Sequence, residues 1–181
     1  MVANERTLFA AHRAPPRAGP PRWWPGFVLA GLLVGAGCLG LGKVGRRVRG
    51  ARVLFGLIAA VSGLICGALG AFLVWAWVAT PHAAVYRNQN ILLFAPFLLA
   101  FVVLGPGAAL GHAGATRKLF LGAATASVCA LVAIALKVLP FAPQQNGSLI
   151  LFLLPLWLGL ALGAKALLSG RTAANVSRRQ D

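Results

Sequence analysis

Residues 53–79 read VLFGLIAAVSGLICGALGAFLVWAWVA, a run of apolar and small residues without a single charged side chain. A helix needs about 20 apolar residues to cross a hydrocarbon core of roughly 30 Å. Hydrophobic residues make up 59% of the 181 positions, and the mean hydropathy is +0.82. Four further stretches have the same character: Trp23–Leu41, Ile91–Leu110, Leu119–Leu139 and Leu149–Leu168. The sequence therefore predicts an all-α, polytopic membrane helix bundle with about five transmembrane helices.

The chain divides into three parts by composition. Residues 1–22 are rich in proline and arginine and lack hydrophobic periodicity, which predicts a disordered tail. Residues 23–168 form the predicted five-helix transmembrane domain, and residues 169–181 form a basic C-terminal tail. The first span is short and rich in glycine, and with the basic residues before it resembles a signal peptide. Trp23-Trp24-Pro25 suits an interfacial anchor that opens a retained helix, which is the interpretation we favour.

The charge of the chain is strongly positive, with 17 Lys and Arg against two acids and a formal net charge of +15. The basic residues lie in tails and loops, as expected for topology signals and for contacts with anionic lipid at the cytoplasmic face. No basic stripe is interleaved with aromatic residues, so nucleic-acid binding is not expected. Apart from Lys137, which lies within the fourth span, one face of the five-helix arrangement carries eleven of these residues and the other five. The positive-inside rule then predicts an N-terminus outside and a C-terminus inside.

The scarcity of acids excludes several kinds of chemistry. Glu5 and Asp181 are the two carboxylate side chains of this sequence, and both are in the terminal tails. Paired-carboxylate hydrolysis, carboxylate-rich metal sites and proton relays through buried acids therefore lack their parts. The three cysteines, Cys38, Cys66 and Cys129, lie within apolar spans and lack CxxC spacing. We expect no cofactor and no metal.

Polar residues concentrate before the third and fifth spans. The candidate binding residues are Thr80, His82, Tyr86, Arg87, Asn88, Asn90, Gln144, Gln145 and Asn146. Both spans enter the membrane from the same face in a five-helix arrangement, so their amides are expected to meet there. Two interpretations stay open: the amides simply cap two helices, or they line a polar pocket at the outer face.

The third and fifth spans also share a proline five residues after an Ile-Leu pair, Pro96 in one and Pro155 in the other. A proline inside a helix removes one backbone hydrogen bond and bends the axis. The pattern therefore predicts two helix kinks, which free the carbonyl groups of Leu92 and Leu151.

The string Thr80-x-His82…Asn88-x-Asn90-Ile91-Leu92-Leu93-x-x-Pro96 resembles the membrane part of bacterial proteins related to the lacto-N-biosidase maturation factor. Those proteins look like an extracytoplasmic papain-like thiol peptidase domain followed by about five helices, and Gln145-Asn146 is similar to a pair before their last helix. The resemblance covers residues 52–168. It implies a module of the bacterial inner membrane with His82, Asn88 and Asn90 on the outer face.

The sequence departs from this family at three places. Pro81 stands where an acidic or polar residue is expected, and Ala95 where an amide is common. Residues 1–22 are too few to form a peptidase domain, so peptidase activity is not expected of this chain.

These features lead to three functional hypotheses. The first is a non-catalytic membrane module acting with an extracytoplasmic hydrolase or thiol peptidase. The second is an intramembrane acyl or lipid-linked transferase in which His82, the one candidate catalytic residue, acts as general base. The third is a small-solute or lipid transporter that uses the proline-kinked helices.

Overall fold

The computed structural model describes residues 23–80, 88–139 and 144–177, and within them the backbone is helical with short turns. The helices are α1 (Trp24–Val44), α2 (Arg49–Ala79), α3 (Asn90–Leu93), α4 (Phe101–Ala109), α5 (Ala113–Leu136) and α6 (Gly147–Ser177). A short 3-10 helix, Pro96–Ala100, lies between α3 and α4. The all-α fold class predicted from the sequence is confirmed.

Five segments of the described residues are long and apolar enough to cross a membrane. They are Trp24–Val44, Arg49–Ala79, Asn90–Ala109, Ala113–Leu136 and Gly147–Gly170. Large apolar side chains cover their outer surfaces; on α2, for example, Leu57 is 56% exposed and Phe72 is 57% exposed. Such a surface is stable only in contact with lipid or another protein. The protein is therefore a multi-pass membrane protein, with the last helix continuing beyond its apolar part to Ser177.

Glycines bring α1 and α6 into close contact. A Cβ atom added to Gly31 would come within 2.8 Å of the Leu151 carbonyl oxygen, and one on Gly35 would overlap the Pro155 carbonyl. Farther along, Gly42 faces Gly163 in the same way, so the two helices run in the same direction. Small residues permit such close packing in membranes, where the hydrophobic effect does not drive helices together because lipid is as apolar as their side chains. The first span, despite its short apolar part, is thus an integral part of the bundle.

The third span is broken rather than bent. The sequence predicts a kinked helix at Pro96, but α3 ends at Leu93 and the backbone of Ala95 is extended, with φ −77° and ψ 134°. Pro96 then begins the 3-10 helix, in the first turn, where its missing N–H is no loss. The physical reason lies in a neighbouring helix: Gly70 of α2 gives the Phe94 carbonyl room that any Cβ would occupy. Pro155, in contrast, lies inside continuous α6.

The core sits where α6 meets the broken third span. Trp157 of α6 and Phe101 of α4 are 0% and 1% exposed, and their rings meet edge to face with centroids 6.0 Å apart. Phe55 and Leu98 are fully buried beside small residues such as Ala59. This ring contact joins α6 to α4, the second part of the third span.

The bundle has two chemically different ends. The amide end comprises Thr80, the stretch 88–90 and the stretch 144–146; the basic end comprises the α1–α2 turn, the α4–α5 turn and the end of α6. At the basic end Arg52 Nε donates a hydrogen bond to the Ala109 carbonyl oxygen at 3.1 Å. Four exposed tryptophans lie towards the amide end: Trp23, Trp24, Trp75 and Trp77.

Candidate functional site

Two short stretches of chain build the amide end. Asn88 and Gln89 lead directly into α3, and residues 144–146 lead directly into α6. The starts of α3 and α6 lie near each other at this end, and hydrogen bonds between the two stretches hold them together. The meeting of the amides, expected from the sequence, is present in the structure.

Four hydrogen bonds link or order the amides. Across the two stretches, Gln144 Nε2 donates to Asn88 Oδ1 at 2.8 Å, and Asn146 Nδ2 donates to Asn90 Oδ1 at 2.8 Å. The Gln89 backbone N–H donates to Gln144 Oε1 at 2.7 Å. Within the first stretch, the Asn90 N–H donates to Asn88 Oδ1 at 3.0 Å, which is an Asx turn. Three of these four bonds run between the two stretches and so tie the starts of two spans together. The fourth, from the Asn90 N–H, caps the start of α3 from within residues 88–90.

Lys137 joins this network from the end of α5. Its Nζ donates a hydrogen bond to the Gln144 carbonyl oxygen. Partial burial lowers the pKa of the Lys137 ammonium below its usual range, because removal from water disfavours the charged form. Three helices, α3, α5 and α6, therefore converge on Gln144.

The network is incomplete within the described residues. Gln89 Oε1 and Asn146 Oδ1 are both buried, yet neither has a hydrogen-bond partner among the residues described. Asn146 is only 3% exposed. A buried acceptor without a donor costs about 1–3 kcal/mol, so these two oxygens lower the stability of the network.

The other predicted site residues differ in their placement. Thr80 Oγ1 donates to the Ala76 carbonyl oxygen at 2.8 Å, a bond within its own helix rather than to the amides. Gln145 is exposed beside the network. His82, Tyr86 and Arg87 lie outside the described residues, so the catalytic hypothesis for His82 stays a prediction.

Lys137 is the one network member that the sequence interpretation did not place at the site. A lysine at the end of an apolar span is expected to place its ammonium at the interface between membrane and water. Its position seven residues before Gln144 was the available signal, since a chain that turns back over so few residues brings the two close.

The arrangement suits hydrogen-bond recognition better than acid–base chemistry. Neutral amides supply fixed donors and acceptors, and no carboxylate side chain occurs among the described residues. No group of three or more metal-ligating side chains is found in this part of the chain either.

Comparison of the chain with protein-family models, curated proteins and solved structures finds no match. The resemblance to the membrane module of the lacto-N-biosidase maturation factor-like proteins therefore stays a prediction.

Proposed function

We propose that this protein is a non-catalytic multi-pass membrane module that docks an extracytoplasmic partner protein at its amide end. The observation that carries the proposal is the amide network, whose hydrogen bonds tie the starts of α3 and α6 together at a surface where Gln145 is exposed. The segment 81–87 precedes this network in the sequence and adds the polar residues His82, Tyr86 and Arg87. Side-chain amides both donate and accept hydrogen bonds, which suits them to pair with the polar groups that a polypeptide surface presents.

The distribution of charge supports an outward-facing amide end. Among the described residues, every lysine and arginine except Lys137 belongs to the basic end. Cytoplasmic loops carry an excess of such residues, so the basic end is assigned to the cytoplasm and the amide end to the outside. The partner then belongs to the extracytoplasmic space, and the suggested inner-membrane location rests on the sequence resemblance alone.

We expect the partner to be a protein. The sequence resemblance to modules of the lacto-N-biosidase maturation factor-like proteins suggests an exported hydrolase or thiol peptidase. Fusion of similar modules to a peptidase domain motivates this choice. In this arrangement the membrane module holds the partner at the membrane surface, and the partner carries out the catalysis.

Site-specific photo-cross-linking in native membranes tests the docking. A photoreactive residue at Gln145, which is exposed beside the network, should yield a discrete protein adduct. The same residue at Gly114, which has open space around it at the basic end, should not. Gln144→Ala breaks two links between the stretches and should abolish the adduct at unchanged abundance, whereas His82→Gln should retain it. A normal adduct with an inactive His82→Gln protein would instead favour the transferase.

A transporter is the second candidate, and the broken third span favours it. Discontinuous helices line substrate sites in many transporters because their unwound backbone offers free polar groups. Here the unwound residues are Phe94 and Ala95, beside Gly70 of α2.

Cysteine accessibility separates the two candidates. Ala95 is 9% exposed, so a static module should protect Ala95→Cys, in protein without other cysteines, from a small water-soluble thiol reagent. Rapid modification of Ala95→Cys from the amide end would show an aqueous path to the break and favour the transporter.

A further inference from the structure

The turn between α1 and α2 lines an open cavity at the surface of the basic end. The cavity has a volume of about 350 Å³ and is lined by Lys43, Val44, Arg46, Arg47 and Val48. The turn is shaped by two backbone hydrogen bonds to the Val44 carbonyl oxygen, from the N–H groups of Arg47 at 3.0 Å and Val48 at 2.9 Å. Three cationic side chains therefore surround one concave space.

These cations have no partner of opposite charge. Lys43, Arg46 and Arg47 are exposed, and none of their side chains forms a hydrogen bond or ion pair with another described residue. Glu5 and Asp181 are the only acidic side chains in the sequence, and both lie outside the described residues. A cluster of three like charges is stabilised when an anion occupies the space between them. The three side chains therefore form a suitable site for an anion.

Two further features of the turn concern the position of Arg46 and the start of α2. The Arg46 side chain lies over Gly170 of α6, where an added Cβ would come within 2.5 Å of its Nε atom. The following helix, α2, begins at Arg49 without any side-chain cap, so its first N–H groups carry a partial positive charge. The first feature positions one of the three cations, and the second adds a partial positive charge beside them.

We propose that the α1–α2 turn binds a phosphate group through Lys43, Arg46 and Arg47. Arginine matches phosphate oxygens with paired N–H groups, and lysine adds a point charge. The turn follows directly on the apolar part of α1, at the depth where phospholipid headgroups lie. The phosphate belongs either to an anionic lipid headgroup or to a soluble phosphate compound. This site lies at the opposite end from the amide network and does not depend on the proposed docking.

The test uses the full chain in nanodiscs of phosphatidylcholine with increasing fractions of phosphatidylglycerol, with lipid binding followed by native mass spectrometry. Arg46→Gln/Arg47→Gln should weaken phosphatidylglycerol binding about tenfold or more, because charged hydrogen bonds are lost. The matched control, Arg117→Gln/Lys118→Gln, removes the same charge from exposed residues at the same end and should bind as the wild type does. The variants' melting temperatures in pure phosphatidylcholine report whether they fold. If the double variant does not fold, Arg47→Gln alone replaces it.

Inorganic phosphate identifies the source of the phosphate. Displacement of phosphatidylglycerol by inorganic phosphate means that the turn accepts phosphate from either source, and lack of displacement means that it requires the lipid headgroup. If both double variants weaken phosphatidylglycerol binding equally, the effect is one of diffuse surface charge, and the proposed phosphate site is wrong. Absence of preferential phosphatidylglycerol binding by the wild type, together with no binding of inorganic phosphate, would overturn it too.

Discussion

At the residue scale, the bond between Asn146 and Asn90 is the most informative contact at the amide end. Asn146 is 3% exposed, and its Nδ2 atom donates to Asn90 Oδ1 at 2.8 Å. A buried amide pair of this kind fixes the relative position of two helix starts, because each partner leaves a costly unpaired group if the other is lost. The same side chain also carries the unpaired Oδ1 atom, so Asn146 forms one hydrogen bond within the network and leaves one acceptor without a donor.

Asn90→Ala should lower the free energy of unfolding in detergent by about 1–3 kcal/mol, because it leaves the buried Asn146 Nδ2 without its acceptor. The double variant Asn90→Ala/Asn146→Ala should cost less than the sum of the single changes, by about 0.5–3 kcal/mol, because neither group is then stranded. Denaturant unfolding of the four proteins measures this difference.

The neighbouring Gln145 is the matched control, since it is exposed. Gln145→Ala should change stability by no more than about 0.5 kcal/mol. Equal effects of the changes at 90 and 145, or strict additivity of the Asn90 and Asn146 changes, would mean that the amide bond does not hold the helix starts together.

The sequence predicted that the amides of residues 88–90 and 144–146 lie together, but it did not predict which hydrogen bonds they form. Counting spans is enough to put residues 88–90 and 144–146 at one end, because each crossing reverses the direction of the chain. It does not show that Gln144 accepts from a backbone N–H and from Lys137 at once, since this depends on where α5 ends. Side-chain partners across a bundle are set by tertiary packing.

At the element scale, glycine positions separate the packed faces of helices from their lipid faces. In α1, a Cβ on Gly35 would overlap the Pro155 carbonyl, whereas Gly37, two residues on, has open space around it. The two glycines thus have opposite roles within the same helix. One permits close approach to α6, and the other only weakens the helix.

Gly35→Ala should therefore destabilise the protein, and Gly37→Ala should stabilise it by about 0.5–1 kcal/mol through better helix propensity. The measurement is the melting temperature of each purified variant in the same detergent. If both changes shift it in the same direction, the assigned packing face of α1 is wrong.

The prolines of the third and fifth spans are similar in sequence but lie in different structures. Sequence spacing indicates where a backbone N–H is missing, but whether the helix bends or breaks depends on its neighbours. Gly70 of α2 accommodates the Phe94 carbonyl, and this permits the break. Beside Pro155, the Leu151 carbonyl faces Gly31, and α6 continues unbroken. The sequence therefore predicted the five spans but not the form of the third.

Replacing the two prolines by alanine should have different effects. Pro155→Ala adds an N–H that can bond within α6, so stability should be kept or raised. Pro96 begins a helix, where an N–H gains nothing, so Pro96→Ala should cost about 0.4–1 kcal/mol as the unfolded chain gains freedom. Chemical unfolding in detergent measures both. A stabilising Pro96→Ala would indicate that a continuous third helix is the preferred state.

At the scale of the whole molecule, the two ends of the bundle divide its interactions. The amide end combines neutral hydrogen-bonding groups with exposed tryptophans, of which Trp23 is 69% exposed and Trp75 is 60% exposed. Tryptophan favours the interface between headgroups and hydrocarbon, so it sets the depth of this end. The basic end carries the cations that attract anionic lipid. A partner protein outside and a lipid phosphate inside are the two roles that this asymmetry supports.

The most direct test of the account is the membrane orientation of the two ends. In protein whose three cysteines are replaced by alanine, Gln145→Cys and Gly50→Cys each provide one exposed thiol, at the amide end and the basic end respectively. In intact cells, an impermeant thiol reagent should label Gln145→Cys at once and Gly50→Cys only after the membrane is opened. The reverse pattern would place the amide end in the cytoplasm and contradict extracytoplasmic docking, and labelling of both positions from the same side would contradict the five-span fold itself.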